Sequence, residues 1–283
     1  MKIKKVINGI FICFLLQIVN VNAQVSNQKG KLFIIGGGSR PSAMVDRIIK
    51  ETGIDKAGYG IILPMSSVAP DSAVYFAKKQ FVEKGINTIY GLNFVKNEKL
   101  TKSKIDSIKN AKLIYISGGD QNKFMEIVAG TDIEKAIHES YKNGNLIAGT
   151  SAGAAVMSKQ MISGKELKHT KYAATFKNIE ADNIEIKTGL GMLTNVIIDQ
   201  HFVKRSRYNR LISAVIEHPD MLGIGIDEST AILVIGDSAE VVGDAQVIVL
   251  KNGNKSKNVH EEKLGAHNLQ LNIYLPGETF KLN

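Results

Sequence analysis

The sequence contains only one cysteine and no tryptophan in 283 residues, and the scarcity of cysteine limits the chemistry open to it. One thiol cannot form an intramolecular disulfide or supply a set of thiolate ligands to a metal ion. The six histidines include no H-E-x-x-H motif, the zinc-binding pattern of many metalloproteases. We therefore expect no disulfide, no metal site and no other cofactor.

The single cysteine, Cys13, lies in an N-terminal segment that has the features of a secretory signal peptide. Three lysines within the first five residues precede the apolar run 10–19, and Val21-Asn22-Ala23 fits a small-x-small cleavage site. An apolar run of about ten residues is shorter than the roughly 20 that a membrane-spanning helix needs. We expect residues 1–23 to be removed, leaving a secreted or periplasmic protein with no membrane attachment.

The chain is mildly basic, but its positive charges do not form a nucleic-acid-binding pattern. Its formal net charge of +9 falls to +6 without the three lysines of the leader. The remaining lysines are spread along the chain, and no block of arginines is interleaved with aromatic residues. We expect an acidic or zwitterionic partner and no nucleic acid.

Apolar strands alternate with amphipathic helices through most of the chain. Strands are predicted at 31–35, 60–63, 86–92, 112–116, 146–148, 195–198 and 222–226, and helices at 41–52, 71–84, 102–110, 131–144, 152–158 and 206–217. Strands that are apolar on both faces and are joined by helices indicate a doubly wound, mostly parallel α/β sheet. Short strands at 231–235, 239–242, 246–250 and 270–275 predict a C-terminal antiparallel extension, about 231–283, of a single domain spanning 24–283.

Three glycine-rich loops, at 36–39, 117–121 and 149–153, follow strands of the predicted sheet. Ligands bind at the carboxyl ends of the strands in such sheets, so these loops are expected to form a site. The loop at 36–39 lacks both G-x-G-x-x-G and G-x-x-x-x-G-K, which favours a tight backbone turn over nucleotide binding. The polar, aperiodic segment 164–183 is expected to be a loop or lid over the site.

The pattern Gly149-x-Ser151-x-Gly153, between a predicted strand and a predicted helix, is typical of a nucleophile elbow. The glycines allow the backbone to pass close by, so that the Ser151 hydroxyl is exposed. A strand-to-helix turn built only for close packing uses the same small residues. The motif alone leaves both interpretations open.

A nucleophilic serine needs a base that accepts its proton and an acid that orients the base. His201 and Glu228 both follow predicted strand ends, where they could meet Ser151. The alternatives are a structural histidine beside a strand, and a surface-turn or helix-capping glutamate. The order Ser, His, Glu along the chain differs from the order in α/β-hydrolases.

Backbone N–H groups near Ser151 are candidates for an oxyanion hole. We assign them to Ala152, directly after the serine, and to Gly119 of the Gly118-Gly119 turn. Arginines beside a catalytic histidine suit bidentate binding of a substrate carboxylate, and a solvated helix face is the alternative. The polar residues nearest these elements are Gln121, Asp199, Gln200, Arg205, Arg207 and Arg210.

Four stretches of the chain carry a family resemblance. They are Gly118-Gly119-Asp120-Gln121, Gly149-Thr150-Ser151-Ala152-Gly153-Ala154, Asp199-Gln200-His201-Phe202 with the three following arginines, and Gly223-Ile224-Gly225-Ile226-Asp227-Glu228. Together they resemble the cyanophycinases, serine exopeptidases of a family that also contains aspartyl dipeptidases, over roughly residues 31–250. The resemblance implies a glutamine-amidotransferase-like α/β sandwich and a serine nucleophile without metal. It also implies as substrate cyanophycin, a poly-aspartate that carries arginine on each β-carboxyl and is cut to β-Asp-Arg dipeptides.

Carried over to this chain, the resemblance implies Ser151 as nucleophile, His201 as base and Glu228 as orienting acid. Glu166, fifteen residues after Ser151, lies near an acidic position proposed as triad member in relatives and is the alternative acid. The substrate pocket would be lined by Gln121, Asp199, Gln200, Arg205, Arg207 and Arg210.

Two other functions are left open by these residues. One is an α-aspartyl or isoaspartyl dipeptidase of the same family, and the other is a non-catalytic protein that binds acidic peptides. The expected partner is therefore cyanophycin or another acidic or isoaspartyl peptide. A homodimer is also left open.

Overall fold

The structure, a computed structural model, describes residues 30–283, so the predicted leader at 1–23 and Cys13 lie outside the described residues. The elements, in chain order, are β1 (Lys31–Ile35), α1 (Ser42–Thr52), β2 (Gly60–Leu63), α2 (Pro70–Val82), β3 (Ile89–Gly91), α3 (Lys102–Lys109), β4 (Leu113–Ile116), α4 (Gln121–Val128), α5 (Asp132–Lys142), β5 (Leu146–Thr150), α6 (Ala152–Ala155), β6 (Gln160–Glu166), β7 (Ile184–Thr188), β8 (Val196–Gln200), α7 (Tyr208–Glu217), β9 (Leu222–Ile226), β10 (Thr230–Ile235), β11 (Ser238–Gly243), β12 (Val247–Lys251), β13 (Asn258–His260), β14 (Lys263–Gly265), β15 (Gln270–Tyr274) and β16 (Thr279–Lys281).

An eight-stranded sheet, in the order β16-β11-β10-β1-β5-β4-β2-β3, forms the centre of the protein. The strands β1, β5, β4, β2 and β3 are parallel to one another, whereas β10, β11 and β16 are antiparallel to their neighbours. Side chains alternate along β1: Leu32 and Ile34 enter one buried cluster, and Phe33 and Ile35 enter the other. The predicted α/β class with a mostly parallel sheet is therefore confirmed.

A second sheet of four strands, in the order β15-β12-β9-β8, packs against the first. Ile198 and Ile224 of this sheet share an apolar cluster with Ile232 and Val234 of β10, so the two sheets form a sandwich. Helix α7 covers the outer face, where Leu211 packs in a separate cluster. The strands predicted at 195–198 and 222–226 thus belong to this second sheet, because β8 pairs in parallel only with β9.

Several predicted boundaries are wrong, and the reason differs from one element to the next. Helix α4 was missed, although Asp120 caps it by accepting a hydrogen bond from the Asn122 N–H at 2.8 Å. Strand β3 is shorter than the predicted 86–92, since as an edge strand it pairs with β2 over three residues. Helix α6 ends at Ala155 rather than at 158, because Ser158 forms a bridge with Leu193.

The segment predicted as a loop or lid at 164–183 begins inside β6, whose antiparallel partner is β7. The chain from 167 to 183 then connects the two strands without a helix or strand of its own. In the C-terminal extension, β10, β11 and β16 widen the main sheet, whereas β12 and β15 widen the second. Within residues 30–283, no helix is long and apolar enough to cross a bilayer.

Candidate active site

Ser151 lies in a tight turn between β5 and α6. Its φ of +53° and ψ of −109° are strained for a residue with a side chain. A Cβ on Gly149 would lie 2.2 Å from the Gly153 carbonyl oxygen, and a Cβ on Gly153 would lie 2.3 Å from that of Ile116. Only glycine fits at either position, because backbones meet there directly. The sequence pattern around Ser151 is thus required by this packing.

Ser151, His201 and Glu228 form a continuous hydrogen-bonded chain. The Ser151 Oγ lies 2.8 Å from His201 Nε2, and His201 Nδ1 lies 2.7 Å from Glu228 Oε1. Both distances fit the neutral tautomer in which Nδ1–H donates to the carboxylate and Nε2 accepts from the serine. His201 follows β8 and Glu228 follows β9, whereas Ser151 follows β5, so the chain bridges the two sheets.

The carboxyl end of β1 holds all three positions through its backbone. The carbonyl oxygen of Ile35 accepts from the Ser151 N–H at 3.0 Å, and that of Gly36 accepts from the His201 N–H at 2.8 Å. The next carbonyl, that of Gly37, accepts from the Ser229 N–H at 2.9 Å, directly after Glu228. Three consecutive carbonyls therefore set the spacing of three residues that come from distant parts of the chain.

The loop at 36–39 also contacts the side chains of the site. A Cβ on Gly37 would lie 2.3 Å from Cε1 of His201, and a Cβ on Gly38 would lie 2.7 Å from Cβ of Glu228. The φ of Gly37 is +120° and that of Gly38 is +70°. The loop is thus a tight backbone turn that packs on His201 and Glu228, as its missing nucleotide motifs predicted.

The alternative acid, Glu166, lies at the end of β6. Its Oε1 accepts a hydrogen bond from Asn183 Nδ2 at 2.9 Å, across the connection to β7. The structure therefore brings Glu228, and not Glu166, into contact with His201.

The two predicted oxyanion donors lie beside Ser151. Ala152 is the first residue of α6, so its N–H has no partner within the helix. The Gly118-Gly119 turn also lies close to the serine hydroxyl, since a Cβ added to Gly118 would be 3.9 Å from the Ser151 Oγ. Within residues 30–283, neither the Ala152 nor the Gly119 N–H donates to a backbone carbonyl. Both donors are therefore available, and their role remains a prediction.

Burial and positive charge keep His201 neutral. Burial lowers the pKa of the His201 imidazole, and the positive charges of Arg205 and Arg207 lower it further. The hydrogen bond and charge of Glu228 act in the opposite direction but do not outweigh them. His201 is thus ready to accept a proton near neutral pH.

An arginine-rich pocket of about 280 Å³ opens beside Ser151. Its walls come from the start of α4, the turn at Ser151, the end of β6, the 167–183 connection, the end of β8, and α7 with the turn before it. The lining residues include Gly119, Gln121, Asn122, Ser151, Lys165, Tyr172, Gln200, Arg205, Arg207 and Arg210. Sequence reasoning missed Asn122, Lys165 and Tyr172 as lining residues, although its prediction of a loop over the site pointed to the last two.

Asp199 and Gln200 organise two of the arginines from beneath this pocket. Asp199 is fully buried and accepts from Arg210 through Nε at 2.7 Å and through Nη2. The Gln200 Oε1 accepts from Arg210 Nη2 at 2.9 Å and also from Arg207 Nη1. Burial and the neighbouring Arg210 lower the pKa of Arg207 to about 10, so it stays charged at neutral pH. Asp199, which was expected to line the pocket, is therefore not among its lining residues and instead contacts Arg207 and Arg210.

Arg205 differs from the other two arginines. It lies in the turn before α7, and its guanidinium forms no hydrogen bond or ion pair with any residue from 30 to 283, whereas that of Arg210 is held by Asp199 and Gln200. All three arginines are candidates for binding a substrate carboxylate, but Arg210 is already paired with the internal carboxylate of Asp199. Gln121 is also engaged, because its Nε2 donates to the Ile162 and Ser163 carbonyls at 3.0 and 2.8 Å and fixes β6 at the pocket edge.

Comparison with known proteins identifies the family. The profile of Peptidase family S51 matches residues 32–242. The chain belongs to this family. It is 33% identical over 266 residues to a cyanophycinase of Nostoc sp., covering 90% of this chain and 86% of the relative. It is 30% identical over 280 residues to a cyanophycinase of Synechococcus elongatus, covering 92% and 81%.

A solved structure shares the fold of this S51 peptidase. It is a peptidase from an acI-B1 actinobacterium, with a TM-score of 0.65 and 24% identity, covering 90% of this chain and 98% of that one. Its membership of family S51 and its similarity to the cyanophycinases make the chain a serine peptidase, a hydrolase.

Replacing Asp199 by Asn tests the buried charge network of the S51 peptidase. The free energy of unfolding should fall by about 3–5 kcal/mol, because two buried guanidinium groups lose the carboxylate that compensates them. Urea denaturation of both proteins measures the change. Asp237→Asn is the matched control, since its ion pair with Lys281 is exposed, and it should unfold at nearly the wild-type urea concentration. Equal stability of Asp199→Asn and wild type would contradict the assignment.

Proposed function

We propose that this S51 peptidase hydrolyses cyanophycin to β-Asp-Arg dipeptides, with Ser151, His201 and Glu228 as the catalytic residues. The observation that carries the proposal is the hydrogen-bonded chain of these three residues at the mouth of an arginine-rich pocket. The similarity to two cyanophycinases over most of their lengths supports the choice of substrate.

The charges of the pocket suit the chemistry of the polymer. Every unit of cyanophycin carries a free carboxylate on its branch arginine, because that arginine is joined through its α-amino group. The Arg205 guanidinium has no hydrogen-bond or ion-pair partner among the described residues, so it can form two parallel hydrogen bonds with such a carboxylate. Arg207 and Arg210 are held in place by Asp199 and Gln200, so no ordering cost arises for them when substrate binds.

Acylation begins with attack by Ser151. Its Oγ bonds to the carbon of the scissile carbonyl while its proton passes to His201 Nε2, and negative charge develops on the carbonyl oxygen. We assign the N–H groups of Ala152 and Gly119 as donors to that oxygen. The C–N bond then breaks, and the proton on His201 Nε2 passes to the leaving nitrogen.

Deacylation repeats these steps with water as nucleophile. Water gives one proton to His201 Nε2 while its oxygen bonds to the acyl carbon. The ester bond to Ser151 Oγ then breaks, and the proton returns to Oγ. Glu228 accepts from Nδ1–H throughout, which keeps the imidazole in the useful tautomer and stabilises the transient imidazolium.

Replacing Ser151 by Ala should lower kcat for release of β-Asp-Arg by about 10⁴-fold or more, because no other group can form the acyl-enzyme. Chromatographic measurement of dipeptide released from cyanophycin checks this, with the melting temperature as evidence that the variant is folded. Turnover at the wild-type rate would exclude the serine mechanism. Faster cleavage of simple Asp-X dipeptides than of the polymer by the wild type would favour the aspartyl dipeptidase alternative instead.

The assignment of base and acid can be tested by measuring kcat/KM between pH 4.5 and 8. This range brackets the unperturbed histidine pKa of about 6.5. The neutral imidazole is the active form, so kcat/KM should rise with pH. The midpoint should lie below the usual histidine value, because burial and two arginines lower the pKa of His201.

Glu228→Gln should move this midpoint to still lower pH, since the carboxylate is the group that raises the pKa of His201. It should also reduce kcat by roughly 10³–10⁴-fold, as the imidazole loses its orienting partner. Glu166→Gln is the matched control and should leave both values unchanged. The opposite pattern, a silent Glu228→Gln with an inactive Glu166→Gln, would assign the acid to Glu166.

We also propose that residues 1–23 direct export and are removed, which makes the enzyme a secreted or periplasmic scavenger of the polymer. N-terminal sequencing of the protein recovered from the periplasm or medium of its natural host should begin at Gln24. Recovery of the full-length chain from the cytoplasm, still beginning at Met1, would contradict export.

A further inference from the structure

A second pocket, of about 240 Å³, adjoins Ser151 next to the arginine-rich one. It lies between the loop at 36–39 and helix α2, and its lining includes Arg40, Phe76, Tyr115, Ser151 and His201. Both pockets share Ser151, so an extended substrate whose scissile carbonyl sits at Oγ would occupy them both. None of the catalytic steps uses Arg40, Phe76 or Tyr115.

Tyr115 gives this pocket an unsatisfied polar group. The residue belongs to β4 and is 1% exposed, with its ring edge-on to Phe81 at 6.2 Å between centroids. Its hydroxyl has no hydrogen-bond partner among residues 30–283. Buried hydroxyls are nearly always paired, and phenylalanine would make the same apolar contacts without the cost of an unpaired group. A ligand in the pocket would supply the missing partner.

Arg40 gives the same pocket an uncompensated positive charge. Its Nε donates to the side-chain oxygen of Gln80, and its Nη1 donates to the Gly38 carbonyl at 3.4 Å. Both acceptors are neutral, and Arg40 forms no ion pair with an acidic side chain of the described residues. The Nη2 group donates to none of them either. The guanidinium is thus oriented by two neutral oxygens while its charge and one nitrogen stay available.

One wall of the pocket is aromatic. Phe76 is 62% exposed and packs edge-on against Tyr75, with 5.3 Å between ring centroids. An exposed aromatic ring of this kind covers the methylene groups of a long polar side chain at little entropic cost. The pocket therefore combines an apolar wall, a guanidinium and a phenolic hydroxyl.

We propose that this pocket is a second substrate subsite, which binds a carboxylate on the unit across the scissile bond from the arginine-rich pocket. The Arg40 guanidinium pairs with the carboxylate, Tyr115 donates its hydroxyl hydrogen to a substrate oxygen, and Phe76 covers the aliphatic part. The inference rests on the proposed function, because cyanophycin carries such a carboxylate on every unit. It implies an enzyme that recognises a polymer on both sides of the cut.

The test uses synthetic oligomers of two β-Asp-Arg units. In one oligomer both branch-arginine carboxylates are free, and in two others the N-terminal or the C-terminal one is an amide. Arg40→Gln should lower kcat/KM on the free oligomer by about 10- to 100-fold, the usual range for a lost charged hydrogen bond. On one of the two amide oligomers, Arg40→Gln should change kcat/KM by less than about twofold. In that oligomer the carboxylate that Arg40 binds has already been replaced by an amide.

Lys50→Gln is the matched control for charge. Lys50 is exposed on α1 and lines neither pocket. Like Arg40→Gln, the Lys50→Gln substitution removes one positive charge. It should keep the wild-type kcat/KM on all three oligomers to within about twofold. An Arg40→Gln loss that is equal on the three oligomers, or no loss at all, would overturn the subsite.

Tyr115→Phe separates substrate recognition from a structural role. The melting temperature should stay the same or rise, since the hydroxyl has no partner to lose, while kcat/KM on the free oligomer falls by about tenfold. A lower melting temperature with wild-type kinetics would assign Tyr115 to packing and overturn its part in the subsite.

A failure of the proposed function can be distinguished from a failure of the subsite. If the wild type cleaves none of the oligomers, calorimetric binding of the same oligomers to Ser151→Ala decides on the subsite. Tighter binding of the free oligomer than of one amide, with the difference lost in Ser151→Ala/Arg40→Gln, supports it. Equal affinities for the free oligomer and both amides overturn it.

Discussion

Three consecutive backbone carbonyls at the end of β1 are the constraint on which the site depends. Ile35, Gly36 and Gly37 accept hydrogen bonds from the backbone next to or at the serine, the histidine and the glutamate. The serine follows the main sheet and the other two follow the second sheet, so their side chains meet only if the two sheets keep a fixed offset. Backbone hydrogen bonds hold the two sheets in this relative position at a lower entropic cost than side chains would, because backbone groups have no rotamers to order. The loop accepts only glycine beside His201 for a steric reason, because a Cβ on Gly37 would lie 2.3 Å from Cε1 of that side chain.

The arrangement of charge serves binding and proton transfer together. Arg205 and Arg207 make the pocket positively charged and also lower the pKa of His201, so the charge of the pocket favours the unprotonated imidazole. Three guanidinium groups at one pocket would repel one another without compensation. Asp199, fully buried beneath them, provides a single negative charge that pairs with Arg207 and Arg210. Arg205 has no such partner among residues 30–283.

Much of the fold and of the site could be predicted because the signals are local. Strand β5, the small residues around Ser151 and the helix α7 pattern lie in short windows where hydrophobic period and glycine spacing determine the structure. The three candidate catalytic residues could be named because each follows a predicted strand. The Asp120 cap of helix α4 is also a local signal. By contrast, the short α6 depends on the bridge between Ser158 and Leu193, which lie far apart in sequence. No window of the sequence contains that information.

The sequence by itself determined the α/β class, the nucleophile-elbow pattern and the set of polar residues at strand ends, since these depend on local backbone preferences and on burial. Only the tertiary structure decided which acid contacts His201, placing Glu228 there and Glu166 against Asn183. It also decided that Arg210 is held by Asp199 while Arg205 has no partner within residues 30–283, and that Arg40 and Tyr115 share a pocket with Ser151. The physical reason is that pairing between side chains depends on how two sheets pack, and that packing is the sum of many long-range contacts rather than a property of any one segment.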